Sequence, residues 1–513
     1  MAASHHLAAR PVIDATPALR AWSRVRLAEL ARQDPIATQR RQLSRLLHRA
    51  RLTSFGRAHD FAGIGDVAAY QRRVALSTYE EFAARWWRDR FPRVGGATWP
   101  GPIRYFANSS GTTGGPTKRI PVSPAMLAGN RGAALDVLAW HLANHPGSRV
   151  LRGRNLILGG STALERLAPG IRAGDLSGIA AAEVPPWAQP FTAPPAALAL
   201  LPDWREKMAR IAPLSLTQRI TGLSGTPSWM LLFFEMAAAL RPGARLAQLY
   251  PQLELVIHGG VGFAPYRAPF AHWLEGSAAG TREVYAASEG FIAIADRGDD
   301  EGLRLVLDRG LFFEFVRPAD LAAGNPDRRW IADAELGVEY ALVVSSNAGL
   351  WSYVIGDTVT LIERRPARLR VTGRTAWSLS VAGEHLIGAE LDAAMAAAAA
   401  QLGRRVADYA AVAVPPDARD SRGGHLFAVE LDAPADAPAF GRALDAALAA
   451  ANADYAAHRA GGFGLRPPEL RLLPPGSFTR WMAARGKLGG QNKVPRVVAD
   501  AALMAALLAE GLP

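Results

Sequence analysis

The segment Asn108-Ser109-Ser110-Gly111-Thr112-Thr113-Gly114-Gly115-Pro116-Thr117-Lys118 crowds hydroxyls, glycines and a lysine into a short stretch after a strand-like run at 103–107. Glycines let backbone N–H groups approach a polyphosphate closely. The hydroxyls of Ser109, Ser110, Thr112 and Thr113 add donors, Gly111 and Gly114 free the backbone, and Lys118 supplies a point charge for the outer phosphates. No Gly-Lys-Ser/Thr ending is present, so this is not a Walker loop. A Gly/Ser/Thr connector would share the composition; the terminal lysine and the segments below favour the phosphate reading.

Four further segments fit the same ligand. Ile257-His258-Gly259-Gly260 follows an apolar run, and the paired glycines Gly259 and Gly260 let a flat base lie against backbone or simply make a tight turn. In Val284-Tyr285-Ala286-Ala287-Ser288-Glu289-Gly290, Tyr285 offers a ring for adenine, Ser288 a hydroxyl, and Glu289 a hard oxygen ligand for Mg²⁺ beside phosphates; Ser288 as a helix N-cap explains two of these without a ligand. Asp357, after Gly356, can accept both ribose hydroxyls or close a Gly-Asp hairpin turn, and Arg374 can bond the same ribose or the α-phosphate. Near the end, Arg485-Gly486-Lys487-Leu488-Gly489-Gly490-Gln491-Asn492-Lys493-Val494-Pro495-Arg496 carries two lysines in a Gly-rich stretch, suited to neutralising charge at a carboxylate and an α-phosphate.

Lysine usage sharpens this. Lys and Arg total 58, yet the lysines are Lys118, Lys207, Lys487 and Lys493 alone. Where arginine is so favoured, a retained lysine suggests that a compact ammonium is needed. Three of the four lie in Gly-rich segments; Lys207 does not. The net charge of +12 is scattered in pairs such as Arg404–Arg405, which reads as an enzyme surface handling anions and not as a nucleic-acid stripe. Cysteine is absent, which excludes thiolate metal sites and a cysteine nucleophile. His141 and His145 have metal-ligand spacing but lack the glutamate that usually accompanies it. No apolar run is long enough for a bilayer and no signal-peptide core is visible, so a cytoplasmic protein is expected.

The elements that must position these residues read as follows. A length of 513 residues implies two or more domains. The first ninety residues read as helical, with Ser77-Thr78-Tyr79-Glu80-Glu81 opening a capped helix. From Ile103 apolar runs alternate with helical stretches, the pattern of an α/β body. Residues 180–204, rich in Pro and Ala, read as a surface excursion. Strands are expected at 311–316, 340–344, 358–362 and 369–371. Beyond Arg374 come a helix (389–401), a strand (425–431) and a helix (439–456). The boundary is placed there: an N-terminal domain over 1–374 and a C-terminal domain over 375–513.

Taken in order, these segments resemble the adenylate-forming, acyl-activating superfamily. The finer resemblance is to the acyl-acid amido synthetases, the auxin- and jasmonate-conjugating enzymes of plants and their bacterial relatives. It is carried by Thr78-Tyr79-Glu80-Glu81, Gly310-Leu311-Phe312-Phe313-Glu314-Phe315, Val338-Glu339-Tyr340, Gly383-Glu384-His385-Leu386 and Gln491-Asn492-Lys493-Val494-Pro495-Arg496. The resemblance implies an α/β fold, with a large N-terminal domain of mixed sheets and helices for ATP and acyl acid and a smaller, mobile α+β C-terminal domain. It implies ATP and Mg²⁺ as cofactors, a carboxylic acid and an amino acid as substrates, and an amide product, with no nucleic-acid or membrane partner. The oligomeric state stays open, a monomer being slightly favoured. Lys493, then Lys487, is expected to be the mobile catalytic lysine, with Arg374 at the junction. Where relatives show Tyr-Arg-x-Gly-Asp, this chain has Tyr353-Val354-Ile355-Gly356-Asp357. Transfer to coenzyme A and nucleotide binding without catalysis are the rival readings.

Overall fold

Capping opens the helical N-terminal part, in a computed structural model that describes residues 13–109, 118–159, 164–201, 204–263, 266–298, 301–322, 326–374, 378–417, 420–462, 464–485, 494–498 and 501–510. Helix Pro35–Ala50 starts where the Asp34 carboxylate accepts the Ala37 N–H, with proline at its first position. Inside this helix Gln39 is fully buried: its amide donates to the Leu307 and Leu311 carbonyls and accepts from Phe313 N–H. One side chain thereby docks the helix on the strand that follows. Helix Tyr79–Trp86 has the expected capping box, in which Glu81 N–H donates to Thr78 Oγ1 and Thr78 N–H donates to the Glu81 carboxylate.

Among the described residues twelve strands make the main sheet: β3 (Arg154–Leu158), β6 (Thr192–Ala193), β7 (Ile220–Gly225), β8 (Leu255–Gly259), β9 (Gly280–Ala287), β10 (Gly290–Ile294), β11 (Leu303–Leu305), β12 (Leu311–Val316), β13 (Arg328–Trp330), β14 (Glu339–Ser346), β15 (Tyr353–Arg364) and β16 (Ala367–Arg374). Their order is β13-β12-β14-β15-β16-β11-β10-β9-β8-β7-β3-β6. From β6 to β9 neighbours run parallel; from β9 to β13 they run antiparallel. Strand β9 is the seam. A second sheet joins β2 (Lys118–Val122), β1 (Tyr105–Ser109), β5 (Ile171–Gly174) and β4 (Glu165–Ala168) in that order. Two short strands, β17 (Ser378–Leu379) and β18 (Leu386–Ile387), pair after the main sheet, and β19 (Val406–Val414), β20 (Gly424–Leu431) and β21 (Glu469–Leu473) form a third sheet. Buried apolar side chains from Leu379 to Val497 make a cluster of their own around that sheet.

The four strands expected between 308 and 371 all form, most of them longer than read. Two readings need correction. Residues 180–204 are not merely a surface excursion: they supply edge strand β6 and wall a cavity beside it. The helix expected over 439–456 is two helices, Ala437–Ala451 and Ala453–Arg459, because Asn452 ends one and caps the other, accepting from Tyr455 N–H while its own amide donates to the Glu384 carbonyl.

Behind the start of β15 lies a buried polar network. Glu314 is fully buried and takes three hydrogen bonds, at 2.8 to 3.0 Å, from Arg328, whose side chain is 8% exposed. Arg328 also donates to Ser352 Oγ, which bonds the Tyr70 phenol; Ser352 N–H donates to Ser345 Oγ. Ser352 adopts φ +44°, a conformation non-glycine residues rarely take, and these bonds hold it there. Arg328→Ala would leave the Glu314 carboxylate buried without its counter-charge. Urea denaturation of this variant should show a loss of roughly 3–5 kcal/mol; a loss below about 1 kcal/mol would mean the network does not support this part of the fold.

Candidate functional site

The phosphate-loop candidate sits between two paired strand ends. Ser109 closes β1 and Lys118 opens β2 directly opposite it. Ser110, Gly111, Thr112, Thr113 and Gly114 lie outside the described residues, as do Lys487 and Lys493. Lys118 is 4% exposed, with its ammonium 5.9 Å above the Tyr79 ring. The Tyr79 phenol accepts the next backbone N–H, that of Arg119, at 2.9 Å. The capped helix Tyr79–Trp86 therefore fixes the base of the loop, a role that no side-chain pattern in the sequence announced.

Glu289 reaches the same place from another direction. Ser288 and Glu289 form the two-residue turn between antiparallel β9 and β10, so Ser288 caps no helix. Glu289 is 6% exposed and faces the phenol of Tyr353, the first residue of β15. Burial above all, then the Glu289 and Glu80 carboxylates and the Tyr79 phenol, raises the Tyr353 pKa well above its ordinary value. Tyr353 is held by backbone bonds on either side: Ser77 N–H to Ser352 O and Val354 N–H to Ser77 O. Lys118, Glu80 and Glu289 are thus gathered around two phenols, one at the start of a helix and one at the start of a strand.

The nucleoside candidates also meet between β9 and β15. The Tyr285 phenol donates to the Asp357 carboxylate at 2.5 Å. Along the sheet β9 and β15 are four strand spacings apart, roughly 19 Å if flat. The contact therefore requires the sheet to curl back on itself. Asp357 lies within β15 after Gly356 at φ +101°, in register with Arg374 on β16, so it closes no hairpin turn. Gly259 ends β8 opposite Val284, the residue before Tyr285; a Cβ there would collide with the Val284 carbonyl. Gly260 takes φ +87°, reserved in practice for glycine. Both glycines are required by the backbone, and both bring it close beside Tyr285.

Strand β9 and its turn link the two groups, from Val284 beside Gly259 through Tyr285 to Glu289. This is the end of the parallel half of the sheet, where open α/β sheets bind ligands. The C-terminal residues touch it. Tyr266, shortly after the glycine pair, donates to the Val381 carbonyl, and a Cβ on Gly383 would lie 3.6 Å from Val261. Glu384 is fully buried and shapes that segment, accepting the Val381 and Ala382 N–H groups at 2.8 Å and lying 2.6 Å from His425 Nε2. Burial opposes its charge, but the His425 contact prevails and holds its pKa down to about 2. Trp229 stacks on His458 at 4.4 Å, and Phe234 packs on Phe270 in the core. His141 is buried within 3.0 Å of the Ser148 hydroxyl, and among the described residues no three His, Cys, Asp or Glu side chains gather as a metal cage. A single hard carboxylate facing phosphate oxygens is how Mg²⁺ is commonly held, so Glu289 fits that ion.

If the Tyr285–Asp357 bond orients the carboxylate for a nucleoside, Tyr285→Phe should weaken ATP binding about ten- to a hundredfold by calorimetry, the worth of one hydrogen bond to a charged group. Unchanged affinity would separate that bond from nucleotide binding.

Comparison with known proteins bears on the family and the fold. Models of the GH3 family N-terminal, central and C-terminal domains match residues 24–174, 304–374 and 389–502, together more than half of the chain. The chain is 28% identical over 235 residues to the indole-3-acetic acid-amido synthetase GH3.8 of Oryza sativa subsp. indica, covering 42% of this chain and 38% of that protein. It is 26% identical over 268 residues to the indole-3-acetic acid-amido synthetase GH3.3 of Arabidopsis thaliana, covering 49% and 44%. The match thus spans less than half the length of these curated relatives. Among solved structures, the acyl acid amido synthetase AtGH3.15 in complex with 2,4-DB superposes with a TM-score of 0.60 at 18% identity over 97% of both chains. A 2-hydroxyisobutyryl-CoA ligase with 2-HIB-AMP and CoA gives 0.54 at 17% identity over 92% of this chain and 91% of that one. At these identities the likeness is one of fold. With all three of its domain models matched in order along a fold of this kind, the chain belongs to the GH3 family.

Proposed function

We propose that this protein uses ATP to activate a carboxylic acid as its acyl-adenylate and passes the acyl group to an amino acid, forming an amide. The observation that carries the reading is the convergence between β9 and β15: a ring and a carboxylate suited to a nucleoside at Tyr285 and Asp357, and a buried ammonium and a carboxylate suited to phosphates around Tyr79 and Tyr353. The curated relatives named as indole-3-acetic acid-amido synthetases support the amide product. Asp357 takes the ribose, Tyr285 with Gly259 and Gly260 frames the adenine, and Ser109, Lys118 and residues 110–117 take the β- and γ-phosphates. Glu289 would hold Mg²⁺, which would supply counter-charge at the phosphates.

The substrate carboxylate attacks the α-phosphorus in line, and the bond to the bridging oxygen of pyrophosphate breaks. Positioning and charge stabilisation supply the rate, since little covalent work is left to the protein. Lys493, with Lys487 second, neutralises the carboxylate and α-phosphate, and Arg374 lies at the junction between residues 1–374 and 375–513. The C-terminal domain then turns about that junction, and the amine attacks the acyl carbonyl while AMP leaves. No covalent enzyme intermediate is needed, consistent with a cysteine-free chain that we place in the cytoplasm.

The fold is shared with a CoA ligase, so thioester formation is the second reading. Product analysis separates them: a thioester with CoA and no amide with any amino acid would replace the amide assignment. Acid-dependent ATP–pyrophosphate exchange tests the adenylation step shared by both. Glu289→Gln and Lys493→Ala should each lower exchange by at least about a hundredfold, the scale seen when one group stabilising developing charge is removed. Near-normal exchange in either variant would clear that residue of its role.

A further inference from the structure

Lys207 is the one lysine of four that the adenylation chemistry leaves unused. It is 1% exposed and borders a cavity of about 280 Å³ beside edge strand β6 and its neighbour β3. The walls are mostly apolar, with Ile157, Val184, Pro194, Met208 and Ile211 among them. The ammonium donates to the carbonyl of Gly159, the residue just past the end of β3. Burying a long cationic side chain in such a cavity is costly and is ordinarily offset by an anion. Burial pulls the Lys207 pKa down to about 8, and the charge of Asp175 opposes that fall.

Asp175 precedes helix Leu176–Ala182, which lines the cavity. Burial first, then the Asp454 carboxylate, raises its pKa to about 7, and Lys207 opposes the rise. The cavity wall thus carries the Lys207 ammonium and the Arg154 guanidinium among apolar side chains, a pattern complementary to a carboxylate on an apolar ligand. Strands β3, β7 and β8 are parallel and end together at Leu158, Gly225 and Gly259. The Gly159 carbonyl that Lys207 bonds therefore lies at the same ends of the strands as Gly259, roughly 10 Å away at two strand spacings.

We propose that this cavity is the subsite for the acceptor amino acid, with Lys207 taking its α-carboxylate and the apolar walls selecting an apolar side chain. The inference rests on the amide-forming reading. To test it, the twenty proteinogenic amino acids are screened as acceptors with the unmodified chain. The best acceptor is then compared with its decarboxylated amine, for leucine isoamylamine, in the unmodified chain and in Lys207→Met. The unmodified chain should prefer the amino acid, and Lys207→Met should shrink that preference at least about tenfold through a raised KM for the amino acid, because only the amino acid loses a charge-assisted bond. Lys207→Arg should restore part of it.

An unchanged preference in Lys207→Met overturns the proposal. So does a raised KM for the carboxylic acid in pyrophosphate exchange, which would assign the cavity to the first substrate. Absence of exchange in the unmodified chain would remove the adenylation reading itself, and is a separate result.

Discussion

The hydrogen bond from Tyr285 to Asp357 ties together strands that the sheet order keeps well apart. It exists only because the sheet curls, and the curl lets one edge of β9 serve two chemistries. Val284 lies against the backbone of Gly259, Tyr285 reaches Asp357, and Glu289 reaches Tyr353. A change that flattened this region would part Tyr285 from Asp357 and Glu289 from Tyr353.

Rigidity behind these contacts comes from buried polar groups that are satisfied. Glu314, Arg328, Ser352, Tyr70 and Ser345 bond one another beneath the start of β15, and Gln39 bonds three backbone groups beneath β12. Each is costly to bury alone and much less so as a set. Glu384 does the same for the C-terminal segment, taking the Val381 and Ala382 N–H groups and lying against His425 Nε2. Here polar residues define geometry more sharply than apolar packing does.

Much of this was legible in the sequence. Alternating apolar residues gave the strands around 311–316 and 425–431, and the Thr78–Glu81 spacing gave a capping box that forms. Local signals failed where the deciding partner is far along the chain. Asp357 and Ser288 each had a local explanation, a turn and a helix cap, and neither holds, because β15 and the β9–β10 hairpin are set by pairing across the sheet. Residues 180–204 looked exposed because Pro and Ala composition reports weak secondary-structure preference and says nothing of a cavity wall. Tyr79 and Tyr353 carried no sign of meeting; the Ser77 backbone that joins them is paired with residues 275 positions later.

In the proposed function a nucleotide lies across β9 with its innermost phosphate open to a carboxylate. A crystal structure with a non-hydrolysable acyl-adenylate analogue, an acyl-sulfamoyl adenosine, would show whether it does. Adenine is expected beside Gly259, Gly260 and Tyr285, ribose hydroxyls on the Asp357 carboxylate, and the sulfamoyl group towards Lys118 and Glu289. An analogue bound elsewhere, or bound here with Asp357 and Lys118 both out of reach, would contradict it.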